Sequence, residues 1–224
     1  MTMLFDQLAG KFAGDIDQAI SHGRYTRGEL FVKLARQTIA PGSFILDYGC
    51  GPGRLSRLME GCGLRVRGVD TSPGMIEQAQ KLVRPGSTMT FAAIENAIDA
   101  LPPTTYDAIV CSSVIEYVPD ADELLQQFRA ALRPGGTLII SFANASSHFR
   151  KQWQRQAGDN PMGPGQHHVW TWPQFSALLE RNGFRPVTEP LYYESPWDGR
   201  FWGPWFRRSA KVGSLGVLVA KAAA

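Results

Sequence analysis

Residues 44–53, Phe-Ile-Leu-Asp-Tyr-Gly-Cys-Gly-Pro-Gly, constrain the fold of this chain more than any other segment. A short apolar run ends in an acid, Asp47, and passes directly into a turn built on Gly49, Gly51 and Gly53. A helical pattern follows from Arg54 through Leu55, Leu58 and Met59. A turn without Cβ atoms supplies positive φ at no steric cost and lets the backbone come close to a ligand. The helix N-terminus behind it offers N–H groups with no intrahelical acceptor. Strand, glycine turn and helix in that order predict a site for a nucleotide-like cofactor.

Spacing narrows the cofactor. The dinucleotide fingerprint G-x-G-x-x-G needs a third glycine where this chain has Arg54. A second short strand, Arg65-Val66-Arg67-Gly68-Val69-Asp70, again ends in an acid, and Thr71-Ser72-Pro73 opens a helix. An acid there accepts hydrogen bonds from a ribose diol in dinucleotide folds too, so it does not separate the readings. Two further segments follow: Tyr106-Asp107-Ala108-Ile109-Val110-Cys111-Ser112-Ser113-Val114-Ile115-Glu116-Tyr117-Val118-Pro119-Asp120 and Leu132-Arg133-Pro134-Gly135-Gly136-Thr137-Leu138-Ile139-Ile140.

D-x-G-x-G-x-G at 47–53, the acid at 70, the E-x-V-P-D run at 116–120 and L-x-P-G-G at 132–136 together resemble the class I S-adenosylmethionine-dependent methyltransferases. The likeness covers roughly residues 42–142 and leans toward the small-molecule, ubiquinone-biosynthesis-like branch. It implies an α/β fold, a Rossmann-like three-layer sandwich with a seven-stranded, mostly parallel sheet and an antiparallel last strand. It also implies S-adenosyl-L-methionine as cofactor and S-adenosyl-L-homocysteine as product. By resemblance Asp47, Gly49, Gly51 and Gly53 form the cofactor loop, Asp70 takes the ribose hydroxyls with Thr71 beside it in the cofactor site, and Ser112 lines the methionine portion. Arg27 stands about where relatives keep an arginine for the cofactor carboxylate. Met75 lies either against the adenine face or in the core. Residues 91–96 show no clean match to the family's adenine contact, which leaves the Ile94 backbone N–H or the Glu95 carboxylate for that role.

At 224 residues the chain is long enough to bury a multilayer core in one domain. The reading divides it into an N-terminal helical lid (1–40), a cofactor-binding half (42–142) and a substrate-side half (143–224). A net charge of +3 makes no case for a nucleic-acid partner. Cys50, Cys62 and Cys111 form no C-x-x-C pair and suit a reducing, cytoplasmic compartment. No run approaches the ~20 apolar residues of a membrane span, and metal-ligand spacing is absent.

Helical spacing of Leu4, Phe5, Leu8, Phe12, Ile16 and Ile20 predicts an amphipathic first helix, broken at Gly10 and Gly14. Thr26 and Glu29 read as a capping box for a second helix through Ile39. Strands are expected at 44–48, 65–70, 88–92, 107–112 and 136–142, with helices at 53–60, 73–83 and 121–132. Beyond residue 142 a long polar connection reaches Trp172, followed by a helix at 173–182 and strands near 184–193 and 213–220. All six tryptophans fall in this last third, which points to the acceptor side.

Candidate chemistry there is less specific. His167 and His168 are suited to proton removal, since unperturbed histidine titrates near ~6.5, but a loop-anchoring role is equally open. Tyr117 replaces the histidine common in the family's E-H-V-P-D run; it is a poor base and a good orienting group. Trp170, Trp197, Arg200 and Trp202 would wall an aromatic or amphipathic acceptor, or serve packing or an interface. The expected function is O- or N-methylation of a small-molecule biosynthetic intermediate. RNA methylation, and non-catalytic cofactor binding through the tryptophan-rich segment, are the alternatives. The oligomeric state has no signature in the sequence.

Overall fold

The computed structural model describes residues 2–21, 26–96, 101–156, 166–194 and 207–223. Helices α1 (Thr2–Ser21) and α2 (Thr26–Thr38) precede an alternation of β1 (Phe44–Tyr48), α3 (Arg54–Glu60), β2 (Arg65–Asp70), α4 (Pro73–Gln80), β3 (Thr90–Ala93) and β4 (Tyr106–Cys111). A 3₁₀ turn (Ile115–Tyr117), α5 (Ala121–Ala131) and β5 (Leu132–Ala143) follow, then α6 (His148–Gln156), α7 (Trp172–Arg181), β6 (Phe184–Pro186), β7 (Leu191–Tyr193) and β8 (Leu215–Ala222).

The strands form one sheet in the order β3-β2-β1-β4-β5-β8-β6, with β7 also on β8. β1 to β5 are parallel, and β8 runs antiparallel to β5. Side chains along β1 and β4 alternate between two cores, as a period of two requires. Ile45, Ala108 and Val110 pack toward Leu30, Phe31 and Met59 of α2 and α3. Leu46, Ile109 and Cys111 pack toward Leu124, Phe128 and Phe175 of α5 and α7. Burial on both faces is what a parallel sheet needs.

Several elements depart from their sequence reading. α1 is one continuous helix through Gly10 and Gly14. Its charges tie it to the helices beneath: Asp6 Oδ1 accepts from Ser72 Oγ (2.5 Å) and Gly74 N–H (3.0 Å), and Asp17 accepts from Arg54 Nε (2.7 Å). The residues before Thr26, on which the start of α2 depends, lie outside the described ones. The L-x-P-G-G segment lies within β5: Tyr106 pairs with Leu132 and Ala108 with Thr137, so residues 133–136 bulge out of register. The single edge strand expected at 184–193 is split. Pro186 and Pro190 bring no N–H to the ladder, and Thr188 Oγ1 accepts from Val219 N–H in the gap (2.9 Å). Helix α6 fills part of the connection read as a loop. No helix among the described residues is long and apolar enough to cross a membrane.

Asn144, at the end of β5, ties the last third together. It is fully buried; its Nδ2 donates to Ala210 O (2.6 Å) and Gly213 O (2.8 Å), and its Oδ1 accepts from Ser146 N–H (3.0 Å). Asn144→Ala removes all three bonds and leaves polar groups buried without them. It is expected to cost about 2–4 kcal/mol, read as a lowered urea midpoint at unchanged m-value.

Candidate active site

The chain runs from β1 outward to β3 and then crosses back to β4 on the other side of β1. That reversal opens a crevice at the carboxyl ends of β1 and β4, the usual ligand position in open α/β sheets. A cavity of about 260 Å³ occupies it. Asp47 to Pro52 form one wall and Asp70, Thr71 and Met75 another; Ile94, Ser112, Ser113, Val114, Tyr117 and Val118 complete the far side. Arg27, Arg54, Leu55 and Ile16 of α1 close the rim.

The glycines of the turn have separate tasks. A Cβ on Gly49 would lie 2.2 Å from Val114 Cγ2, so this glycine permits the β1 and β4 loops to touch. Gly51 has φ +51° and its missing Cβ would meet nothing within 4 Å; it contributes open space and bare backbone. Gly53 is off the cavity lining. It caps α3 at φ +75°, where a Cβ would crowd Ala79 and Phe91.

Two carboxylates hold the turn. Asp70 Oδ2 accepts from Gly51 N–H (2.8 Å) and Oδ1 from Ser72 N–H (2.9 Å), which joins the glycine turn to the start of α4. Burial raises its carboxyl above the ordinary range against those bonds. Asp47 is 1% exposed and Oδ2 accepts from Ser56 Oγ (2.5 Å). Burial, opposed by the Ser56 bond and helped by the nearby Asp70, pushes it to about 7. On the β4 side, Ser112 Oγ and Ser113 Oγ are buried with no hydrogen-bond partner among the described residues. Ser113 sits at φ +56°, a strained position for a residue with a Cβ. Carboxylates at two strand ends, a glycine turn and two serines around one crevice fit a polar, nucleoside-bearing cofactor.

Of the sequence-predicted cofactor residues, the cavity gathers Arg27, Asp47, Gly49, Gly51, Asp70, Thr71, Met75, Ile94 and Ser112. Gly53 and Glu95 are not on it. Tyr117 is on the lining, with its oxygen accepting from Gln166 Nε2 (3.2 Å), and burial raises its hydroxyl's pKa. His167 and His168 are not on the lining: His167 is exposed, and the His168 ring bonds Pro119 O (3.0 Å) and stacks on Trp170. Trp170 is likewise off the lining, packed on Phe175 at the core margin. Trp197, Arg200 and Trp202 lie outside the described residues. Sequence reasoning missed Ser113, Val114 and Ile16. Ser113 adjoins the predicted Ser112, but its positive φ has no sequence signature, and Ile16 reaches the site only because α1 folds over it.

Asp47 makes folding stability pH-dependent. Its folded value of about 7 stands above its unfolded 3.8, so the folded state binds the extra proton between them. Its contribution is present below the unfolded value and is lost as pH rises toward 7. Asp47→Asn is expected to leave stability near pH 4 little changed and to raise it at pH 8 by up to about 4 kcal/mol. Urea unfolding at the two pH values checks this, and an equal effect at both contradicts it.

Comparison with known proteins bears on the same segments. A family model described as a methyltransferase domain matches residues 22–189. A ubiquinone biosynthesis O-methyltransferase of Xanthomonas campestris pv. campestris is 32% identical over 113 residues, which are 50% of this chain and 47% of the relative. The match to such curated relatives thus spans about half their length. Among solved structures, a chain of the complex between the Haloferax volcanii Trm112 methyltransferase activator and the putative methyltransferase superposes with TM-score 0.73 at 20% identity, covering 100% of this chain and 97% of that one. Magnesium protoporphyrin IX methyltransferase of Synechocystis PCC 6803, solved with S-adenosylhomocysteine, gives TM-score 0.66 at 20% identity over 91% and 84%. At that identity the structures speak for the fold, a Rossmann-like mostly parallel sheet with an antiparallel strand.

Proposed function

The chain belongs to the methyltransferase-domain family, and on that premise we propose that it methylates O or N of a small-molecule biosynthetic intermediate in the cytoplasm. S-adenosylmethionine is the methyl donor, and it supplies an electrophilic methyl carbon on a sulfonium. The observation that carries the reading is the crevice itself. It brings Asp47, Gly51, Asp70, Ser112 and Ser113 together at the carboxyl ends of β1, β2 and β4.

Each residue has a defined task in this reading. Asp70 accepts from the ribose hydroxyls while its backbone bonds keep the glycine turn in place. Arg27 faces the cofactor carboxylate, and Ser112 and Ser113 satisfy polar atoms of the amino-acid portion. Met75 and Ile94 border the adenine. Helix α1 is the lid, pinned at Asp6 and Asp17, with Ile16 turned to the cavity. In-line methyl transfer needs alignment and exclusion of water more than protein nucleophiles. Tyr117, held protonated by burial, orients the acceptor by hydrogen bonding and does not act as its base. His167 and His168 pin the 166–170 segment against the 3₁₀ turn through Glu116 O.

A small molecule is favoured by the O-methyltransferase relatives and by the mild charge. The three free cysteines suit a reducing compartment. The test supplies radiolabelled S-adenosylmethionine to the purified full chain with cell extract and counts label in small-molecule, lipid, RNA and protein fractions. Label is expected in the small-molecule or lipid fraction. Asp70→Ala should lower S-adenosylhomocysteine affinity about a hundredfold and remove that label. Counts in RNA or protein overturn the substrate class, and tight binding with no transfer to any fraction supports a cofactor-binding protein instead.

A further inference from the structure

The 3₁₀ turn after β4 carries a buried acid that has no part in the chemistry above. Glu116 is 1% exposed, and its Oε2 has no hydrogen-bond partner among the described residues. Its carbonyl accepts from the N–H groups of His167 (2.8 Å) and His168 (3.2 Å), so the loop above holds it in place.

Charged and titratable groups face this carboxyl from several elements. Arg27 comes from α2, Arg150 from α6, and Tyr193 and Glu194 from the end of β7. Tyr117 adjoins it on the turn, and Cys111 lies below at the end of β4. Arg27 Nη2 bonds Glu194 Oε1 at 2.5 Å. Arg150, itself buried, donates to Ser214 O (3.2 Å) and Gln166 Oε1 (3.1 Å). Among the described residues two arginines and two carboxylates meet when Glu116 is ionised, and protonating Glu116 removes one negative charge from that group. Arg27 is the member of this cluster that also lines the cofactor cavity.

We propose that Glu116 is a positioning residue for cofactor binding, setting from behind the cavity wall the net charge that Arg27 presents to the carboxylate of the cofactor. This rests on the cavity being the S-adenosylmethionine site. Burial lifts Glu116 to about 7 against a hydrogen bond from its own backbone N–H and the nearby Arg150 and Arg27, while Glu194 pushes it up further. Burial also raises Tyr117, Tyr193 and Cys111, which keeps them protonated. Of the side chains that face it, Glu116 is therefore the one that changes charge near neutrality. Its neutral form makes the group of charges around Arg27 more favourable to an incoming carboxylate; its ionised form makes it less so. Because coupling between two binding events is reciprocal, cofactor binding draws a proton onto Glu116.

The experiment is calorimetric titration of the full chain with S-adenosylhomocysteine at pH 6 and pH 8, in buffers of different ionisation enthalpy. Wild-type affinity is expected to fall about tenfold from pH 6 to pH 8, with net proton uptake near pH 7. Glu116→Gln, neutral at every pH, should bind at pH 8 about as tightly as the wild type binds at pH 6. A residual slope in that variant belongs to Asp47. An affinity gain at pH 8 is a result that mere structural damage does not produce. Equal pH slopes in the two proteins, or weaker binding by the variant at both pH values, overturn the proposal. Should the variant not fold, proton uptake is measured in Asp47→Asn, where uptake near pH 7 supports the proposal and its absence overturns it. A wild type that binds no S-adenosylhomocysteine at either pH overturns the cofactor reading itself, an outcome distinct from an unchanged slope.

Discussion

The close approach of two loops at the carboxyl ends of β1 and β4 is the constraint on which the site depends. A side chain at Gly49 would overlap Val114, so the two loops meet only because that Cβ is missing. Asp70 then fastens the turn from the other side, bonding Gly51 N–H and Ser72 N–H with its two oxygens. Contact on one side and a carboxylate clamp on the other leave Gly51 with its backbone bare to the crevice. The sheet order makes this possible, since the crossover to β4 leaves the space beside β1 uncovered.

Acids dominate the energetics of this end of the molecule. Asp47, Asp70 and Glu116 are all shifted upward, with burial as the largest cause in each. Burying carboxylates in an empty site costs folding free energy as pH rises, and a binding site can carry that cost when its ligand compensates. Asp6 and Asp17 behave oppositely: hydrogen bonds from Ser72 and Arg54 hold them below the ordinary carboxylate range. Both lie on α1, so its ties to α3 and α4 favour the ionised acids, whereas the crevice floor favours protonated ones.

The fold of residues 42–142 was legible because its signals are local. Glycine spacing, acids at strand ends and alternating apolar runs each reside in a few consecutive residues, and strands β1, β2 and β4 fall within a residue or so of their expected bounds. Beyond residue 142 the local signals weaken. Helix α6 is polar along most of its length, HFRKQWQRQ, so its periodicity does not show. The histidine pair looked like chemistry because the residue type suits proton transfer, yet neither ring lies on the cavity lining. Tyr117, two residues beyond the 3₁₀ turn's start, does.

The sequence by itself determined the fold class and the strand, glycine turn and helix order from β1 to α3, because backbone conformation and strand ends are set by neighbours in the chain. Tertiary structure alone decided which side chains share the crevice with them. Ile16 and Arg27 arrive from the N-terminal helices, and Ser113 enters through a left-handed backbone that its residue type does not announce. The cluster of Arg27, Glu116, Arg150 and Glu194 draws on segments as far apart as α2 and the end of β7. Burial and charge at such a meeting point are properties of the packed molecule, and no window of sequence contains them.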